Sequence, residues 1–187
     1  MNILAIDTCT EVASVTLYSS GVRASRVLTN VEKSSGHILR LCDEVFTESG
    51  KQLNEVDLIA YSKGPGAFTG VRMCIGVVQG LSLSCSIPTI GFSTLELLGF
   101  RASKILKSEK IAVALDARMG EVYWAVYDHG ELNNMKICSP EDVDNVGDNF
   151  LGVGTGWSTH HDQLHSASNV KITDLSIYPE SSELVDL

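Results

Sequence analysis

A chain of 187 residues can bury a sizeable core as one domain or as two small lobes. With 44 % hydrophobic and 20 % charged residues it is neither disordered nor fibrous, and no apolar run is long enough to span a bilayer. A net charge of −9 without a dense basic run argues against broad nucleic-acid binding by the chain alone. The start, MNILAIDTCTE, has no basic segment and reaches Asp7 too early for a signal peptide, so cytoplasm is the default location. The cysteines Cys9, Cys42, Cys74, Cys85 and Cys138 are odd in number, scattered and without a CxxC, which fits reduced, mostly buried thiols.

Residues 2–6 are an apolar run ending in Asp7, as in a buried strand. Residues 12–18 alternate, Ser19–Ser20–Gly21 marks a hairpin turn, and residues 22–28 return as a third strand. Ser34 or Ser35 can cap a helix over residues 36–48, with Ile38, Leu41, Cys42, Val45 and Phe46 at helical spacing and Gly50 as its stop. Residues 56–62 read as a central strand. Thr69 can cap a second helix whose Val71, Cys74, Ile75, Val78 and Leu81 make a broad apolar face. Its Gly76 and Gly80 lie one turn apart, and each costs a helix about 1 kcal/mol relative to Ala, which close approach of another backbone can offset. A short strand over residues 88–92 follows, and Ser93 caps a third helix to about residue 106. Strands are expected over 111–115 and 121–127, with a further strand and turn over 150–156. Residues 128–149 are polar and weakly patterned, and the tail after Lys171 has no strong closing element. The order is β-β-β-α-β-α-β-α and then a second lobe, with a boundary near residues 100–109.

Four segments carry candidate chemistry. IDTCTE (residues 6–11) sets a carboxylate and two hydroxyls in a turn, which suits a phosphate or a metal-bound water, or a polar turn bonding its own backbone. KGPGAFTGVR (residues 63–72) can aim backbone N–H groups at an anion ahead of a helix, or simply shape the connection; it is no P-loop, since no Gly-Lys-Ser/Thr follows. DARMGEVYWAVY (residues 116–127) offers Asp116 and Arg118 to a ligand, or forms a hairpin with Gly120 at positive φ and Tyr123, Trp124 and Tyr127 packed on its faces. His161 and His165 have the i, i+4 spacing of a metal pair, but their polar flanks favour a solvated loop. No Ser-His-Asp order or GxSxG elbow occurs, so no complete catalytic set is visible.

Together, ILAIDTCTE, YSKGPGAFTGVRMCIGVVQGL, PTIGFSTLELL, ALDARMGEVYWAVY and GVGTGW resemble the bacterial TsaB (YeaZ) family, in matching order from residue 1 to about 157. The resemblance implies an α/β, actin-like fold of two related lobes with mixed sheets flanked by helices, residues 1–103 and 104–187. It implies a part in making N6-threonylcarbamoyladenosine beside the anticodon of tRNA. It also implies a non-catalytic, activating role through dimerisation with the catalytic paralogue TsaD, a TsaE-type ATPase as third partner, and a homodimer when alone. Contact with tRNA is then indirect, no membrane is involved, and no cofactor or metal is expected. The TsaD branch carries an HxxxH pair; in KSSGHILRL (residues 33–41) His37 stands alone, with Leu41 four positions on. Asp7, Thr8 and Thr10 are then a vestigial phosphate-type hairpin, and Ile38, Leu41, Val45, Val71, Cys74, Ile75 and Val78 the partner interface. Two departures stand out: Ser34 replaces a His often found in the family, and the chain ends at Leu187, short of an expected closing helix and strand. The rival reading is a glycoprotease-like hydrolase or phosphotransferase using Asp7, Asp116 and the His161/His165 pair.

Overall fold

The computed structural model describes residues 1–29 and 37–187. They form two compact units: Met1–Leu97 together with Pro179–Leu187, and Leu98–Tyr178. The expected cap residues Ser34 and Ser35, and the helix start at Gly36, lie outside the described residues.

In the first unit, β1 (Asn2–Asp7), β2 (Val12–Ser19) and β3 (Val22–Thr29) form an antiparallel meander. β4 (Leu58–Ser62) pairs in parallel with β1, and β5 (Thr89–Phe92) in parallel with β4, giving the order β3-β2-β1-β4-β5. Parallel pairing needs a long crossover; α1 (Ile38–Ser49) fills the first and α2 (Phe68–Cys85) the second. Strand period two sends Leu4, Ile6, Val15, Leu17 and Ile59 to one face, where Ile38, Leu41, Cys42 and Val45 of α1 and Cys74 and Val78 of α2 pack on them. Ile3, Ala5 and Ala60 face the other way, against Leu97 of α3 (Thr94–Leu106) and Leu184. The closing segment belongs to this unit. Ser181 N–H donates to Ser14 Oγ at 2.8 Å, and its hydroxyl lies 2.9 Å from that of Thr16. Gly50 ends α1 in the left-handed region at φ 66°, its N–H returning to Phe46 O.

The second unit repeats the topology. β6 (Lys110–Arg118), β7 (Glu121–Asp128) and β8 (Glu131–Cys138) form a meander, and β9 (Leu151–Val153) and β10 (Ile172–Asp174) add in parallel, in the order β10-β9-β6-β7-β8. Trp124, Trp157, Phe150 and Leu164 dominate its core, with the two indole rings 6.2 Å apart. α4 (Thr155–Thr159) and α5 (His161–Ser168) cover that face.

Four expectations change. α2 begins at Phe68 after Ala67 with no side-chain cap, so Thr69 sits inside its first turn. Residues 131–138 are a strand although they alternate poorly. β8 is an edge strand, exposed along much of its length and broken by Asn134 at φ 55°. The His161–His165 stretch is helical, not a loop, because Leu164 and Ser168 bury one side of α5. Finally, α2 is long and apolar enough in composition to cross a bilayer, with mean hydropathy 1.3. Its Gly70, Cys74 and Val78 are nevertheless packed inside the unit, as a crossover helix requires.

Both tryptophans lie in the second unit, so tryptophan fluorescence follows that unit. Trp157 is fully buried and donates from Nε1 to Ala112 O at 3.2 Å. Trp157→Ala leaves a cavity and removes the bond to the Ala112 carbonyl. It is expected to destabilise the second unit by about 3–5 kcal/mol, read as a lower urea midpoint of Trp124 emission.

Candidate functional site

β1 and β4 end side by side, Ile6 paired with Tyr61. Beyond Ser62 the chain turns through Gly64 (φ 96°) and a cis Gly64–Pro65 peptide into α2. Gly66 and Gly70 press on the β1–β2 turn so closely that a Cβ on either would overlap the carbonyl oxygen of Cys9 or Thr8. Two hydrogen bonds fix the seat: Ala67 N–H to Cys9 O at 2.8 Å, and the Thr8 hydroxyl to Gly70 O at 2.7 Å. Ala67 N–H, which could have faced an anion, is therefore used within the unit. Asp7 and Thr8 are completely buried and Thr10 nearly so. The protein's own glycine turn fills the space over Asp7, Thr8 and Thr10, the hairpin expected to be vestigial.

The seat encloses a polar pocket. Asp7 Oδ1 accepts the Cys9 N–H at 3.1 Å, while Oδ2 has no partner in hydrogen-bonding geometry, though Ser62 and Cys9 lie close by. Burial pushes the Asp7 carboxyl well above its usual range, and the Cys9 thiol adds to the effect. The Cys9 thiol contacts Ser62 O at 3.3 Å, and Ser62 and Thr94 hydroxyls lie 2.8 Å apart. Cys74 reaches in from α2, its thiol 3.6 Å from Ile6 O. Interaction between the two thiols draws Cys9 down against burial and pushes Cys74 up.

The predicted interface divides. Ile38, Leu41, Val45, Cys74 and Val78 are buried in the first unit's core, so they hold α1 and α2 to their own sheet rather than meeting a partner. Val71 and Ile75 are half-buried, and Ile75 lines a shallow groove with Tyr61, Gln79, Leu83 and Thr89. The open face of α2 instead carries Phe68 (69 % exposed), Arg72, Gly76, Gly80 and Leu83 (81 % exposed). A Cβ on Gly76 or Gly80 would meet nothing within 4 Å. The Arg72 guanidinium lies 3.6 Å above the Phe68 ring. Because α2 is apolar nearly all round, periodicity could not tell its inner face from its outer one. The usable signal was the stripe at 68, 72, 76, 80 and 83.

In the second unit Asp116 is engaged locally. It accepts Arg118 N–H at 2.8 Å and pairs with the Arg118 guanidinium at 3.2 Å, across a turn in which Arg118, Met119 and Gly120 all have positive φ. Trp124 and Tyr127 are buried, Tyr123 half-buried. The His161 and His165 ring centroids lie 4.2 Å apart with their planes tilted by 48°, and His165 is edge-on to Trp157 at 5.5 Å. Among the described residues no group of three or more His, Cys, Asp or Glu side chains is arranged to hold a metal ion.

A family model described as TsaD, tRNA N6-adenosine threonylcarbamoyltransferase, matches residues 27–183. The tRNA threonylcarbamoyladenosine biosynthesis protein TsaB of Escherichia coli (strain K12) is 38 % identical over 194 residues, covering 98 % of this chain and 83 % of that protein. The chain belongs to the TsaB family. The TsaB of Haemophilus influenzae is 34 % identical over 175 residues, covering 86 % and 74 % of the two. YeaZ from Pseudomonas aeruginosa superposes with a TM-score of 0.89 at 35 % identity, over 100 % of this chain and 91 % of that one. The component A of (R)-2-hydroxyglutaryl-CoA dehydratase from Acidaminococcus fermentans shares the fold alone, with a TM-score of 0.51 at 10 % identity over 93 % and 92 %. The TsaB-type chain has the actin-like fold: two mixed five-stranded sheets of one topology, flanked by helices.

The raised Asp7 pKa fixes a sign. The folded state keeps the proton that the unfolded chain loses near pH 4, so Asp7's contribution to stability is full below that pH and is lost as pH rises through the folded value. Asp7→Asn keeps the acceptor for Cys9 N–H and removes the titration. The melting temperature of Asp7→Asn minus that of the parent is expected to increase as pH rises above 4. A difference independent of pH would contradict the buried, proton-holding carboxyl.

Proposed function

We propose that this TsaB-family chain is a non-catalytic subunit of the machinery that forms N6-threonylcarbamoyladenosine on tRNA, acting in the cytoplasm by pairing with a TsaD-type catalytic paralogue. The observation that carries this reading is the outer face of α2. This 18-residue helix, about 27 Å long, leaves Phe68 and Leu83 exposed and Val71 and Ile75 half-buried. Phe68 and Leu83 bracket Gly76 and Gly80, which lower helix stability while packing against nothing in their own chain. Apolar area of this kind is stabilised by covering it, at about 25 cal/mol per Å², and glycines allow a partner helix to come close. The outer face of α1, by contrast, carries Arg40, Asp43, Glu44 and Glu48, and Arg26 of β3 pairs with Glu44 and Glu48. The net charge of −9 supports contact with tRNA through the complex rather than by this chain, with a TsaE-type ATPase as the third member. The same α2 face serves a homodimer when the catalytic partner is missing. A buried Asp7 and an Asp116 tied to Arg118 favour this over a hydrolase or phosphotransferase.

Threonylcarbamoyl transfer to tRNA, reconstituted with TsaD-type and TsaE-type proteins, is expected to depend on this chain, and the chain alone to hydrolyse no ATP. Gly76→Ala and Gly80→Ala are each expected to stabilise the free chain by up to about 1 kcal/mol while weakening pairing. Leu83→Glu is expected to abolish pairing in light scattering and pull-down with the fold intact. Pairing unchanged in all three variants would remove α2 as the partner surface.

A further inference from the structure

The outer side of the first unit's helix layer carries a cation on α2 and an anion on α1 that, among the described residues, make no ion pair. In α2, FTGVRMCIGVVQGLSLSC, Arg72 is the only charged residue. It is exposed, its guanidinium lies 3.6 Å over the Phe68 ring, and no carboxylate among the described residues pairs with it. α1 packs on the same sheet face as α2, so the outer sides of the two helices make one surface. Arg26 of the edge strand β3 pairs with Glu44 and Glu48, which places that flank of α1 toward the sheet edge. Asp43 stands about 100° round the helix from Glu44 and is exposed, with Leu39 (55 % exposed) one turn before it. Among the described residues no cation pairs with Asp43.

We infer that, when two copies of this chain pair through this surface, Arg72 of one protomer bonds Asp43 of its mate, and that this cross pair, made twice, selects a second copy as the occupant. The inference rests on the reading above, that the outer face of α2 serves a homodimer. A partner laid over α2 removes water from the Arg72 guanidinium, and a guanidinium covered without a carboxylate is costly. α2 cannot supply that carboxylate from its own copy, because it has no Asp or Glu, and Glu44 and Glu48 of α1 are engaged by Arg26. Asp43 is the acid on this layer left to answer it. A two-fold axis satisfies both charges at once: the rotation that sets Arg72 on the mate's α1 sets the mate's Arg72 on this chain's α1. Stacking on Phe68 already holds the guanidinium in place, so less side-chain freedom is lost when the pair forms. Gly76, one turn on from Arg72, adds no side chain to hold the mate's helix away.

The test follows dimerisation of the full chain by sedimentation velocity over a concentration series. Arg72→Asp and Asp43→Arg are each expected to raise the dimer dissociation constant about tenfold or more, and the double variant to bring it back to within about threefold of the parent. Both positions are exposed, so the fold is expected to survive, read by circular dichroism. A double variant that dimerises no more tightly than either single one, or single variants that dimerise like the parent, would overturn the pair. So would a parent that stays monomeric, or an Arg72→Asp that weakens only pairing with a TsaD-type chain. Leu83→Glu separates this inference from the reading beneath it. If Leu83→Glu abolishes the dimer while Arg72→Asp leaves it unchanged, the face stands and the pair falls; if Leu83→Glu leaves the dimer intact, both fall.

Discussion

The contact on which this molecule depends is the seating of Gly66 and Gly70 against the carbonyls of Cys9 and Thr8. It is backbone against backbone, and a methyl group at either glycine would occupy the position of a carbonyl oxygen. Because the turn is that close, Ala67 N–H and Gly70 O can bond to the hairpin, the mouth of the β1–β2 turn is closed, and α2 leaves the sheet at a fixed angle. A side chain at either position would lift the turn, expose Asp7 and release Cys74 from its place beside Cys9. One steric requirement thus links a filled hairpin, a buried carboxyl and the seating of α2.

The two units meet the same constraint in different ways. Each begins with a meander whose first strand carries an aspartate near its end, and each has a glycine-bearing turn into a helix packed on that strand. In the second unit Gly154 and Gly156 press on Ala114 as Gly66 and Gly70 press on Thr8 and Cys9. The aspartates diverge. Asp7 is sealed in and burial raises its carboxyl, whereas Asp116 is paired with the Arg118 guanidinium.

Much of this was legible from the residues. The first meander, Gly50 as the end of α1, Ser93 before α3 with Leu95 N–H bonded to its hydroxyl, and the Gly120 turn all follow local rules of period, capping and φ. Where those rules weaken, the reading weakened too. β8 is a bulged edge strand with little to bury, so its alternation is faint. α5 holds together through Leu164 and Ser168 although its composition looks like a loop. The duplication of strand order cannot be seen in the sequence at all, because the two units share connectivity and not residues.

The sequence by itself determined the elements of the first unit, their order and the family, since local propensity and a set of glycine-bearing motifs suffice for those. It also determined that two glycines would lie one turn apart on a helix. Only the tertiary structure decided which side of that helix faces water. On a helix that is apolar all round, burial is assigned by the sheet it packs on, and here the sheet took Cys74 and Val78 and left Phe68, Gly76, Gly80 and Leu83 outside. Only the fold, likewise, brought Asp7, Cys9 and Cys74 into one pocket, because a parallel crossover joins residues that lie far apart along the chain.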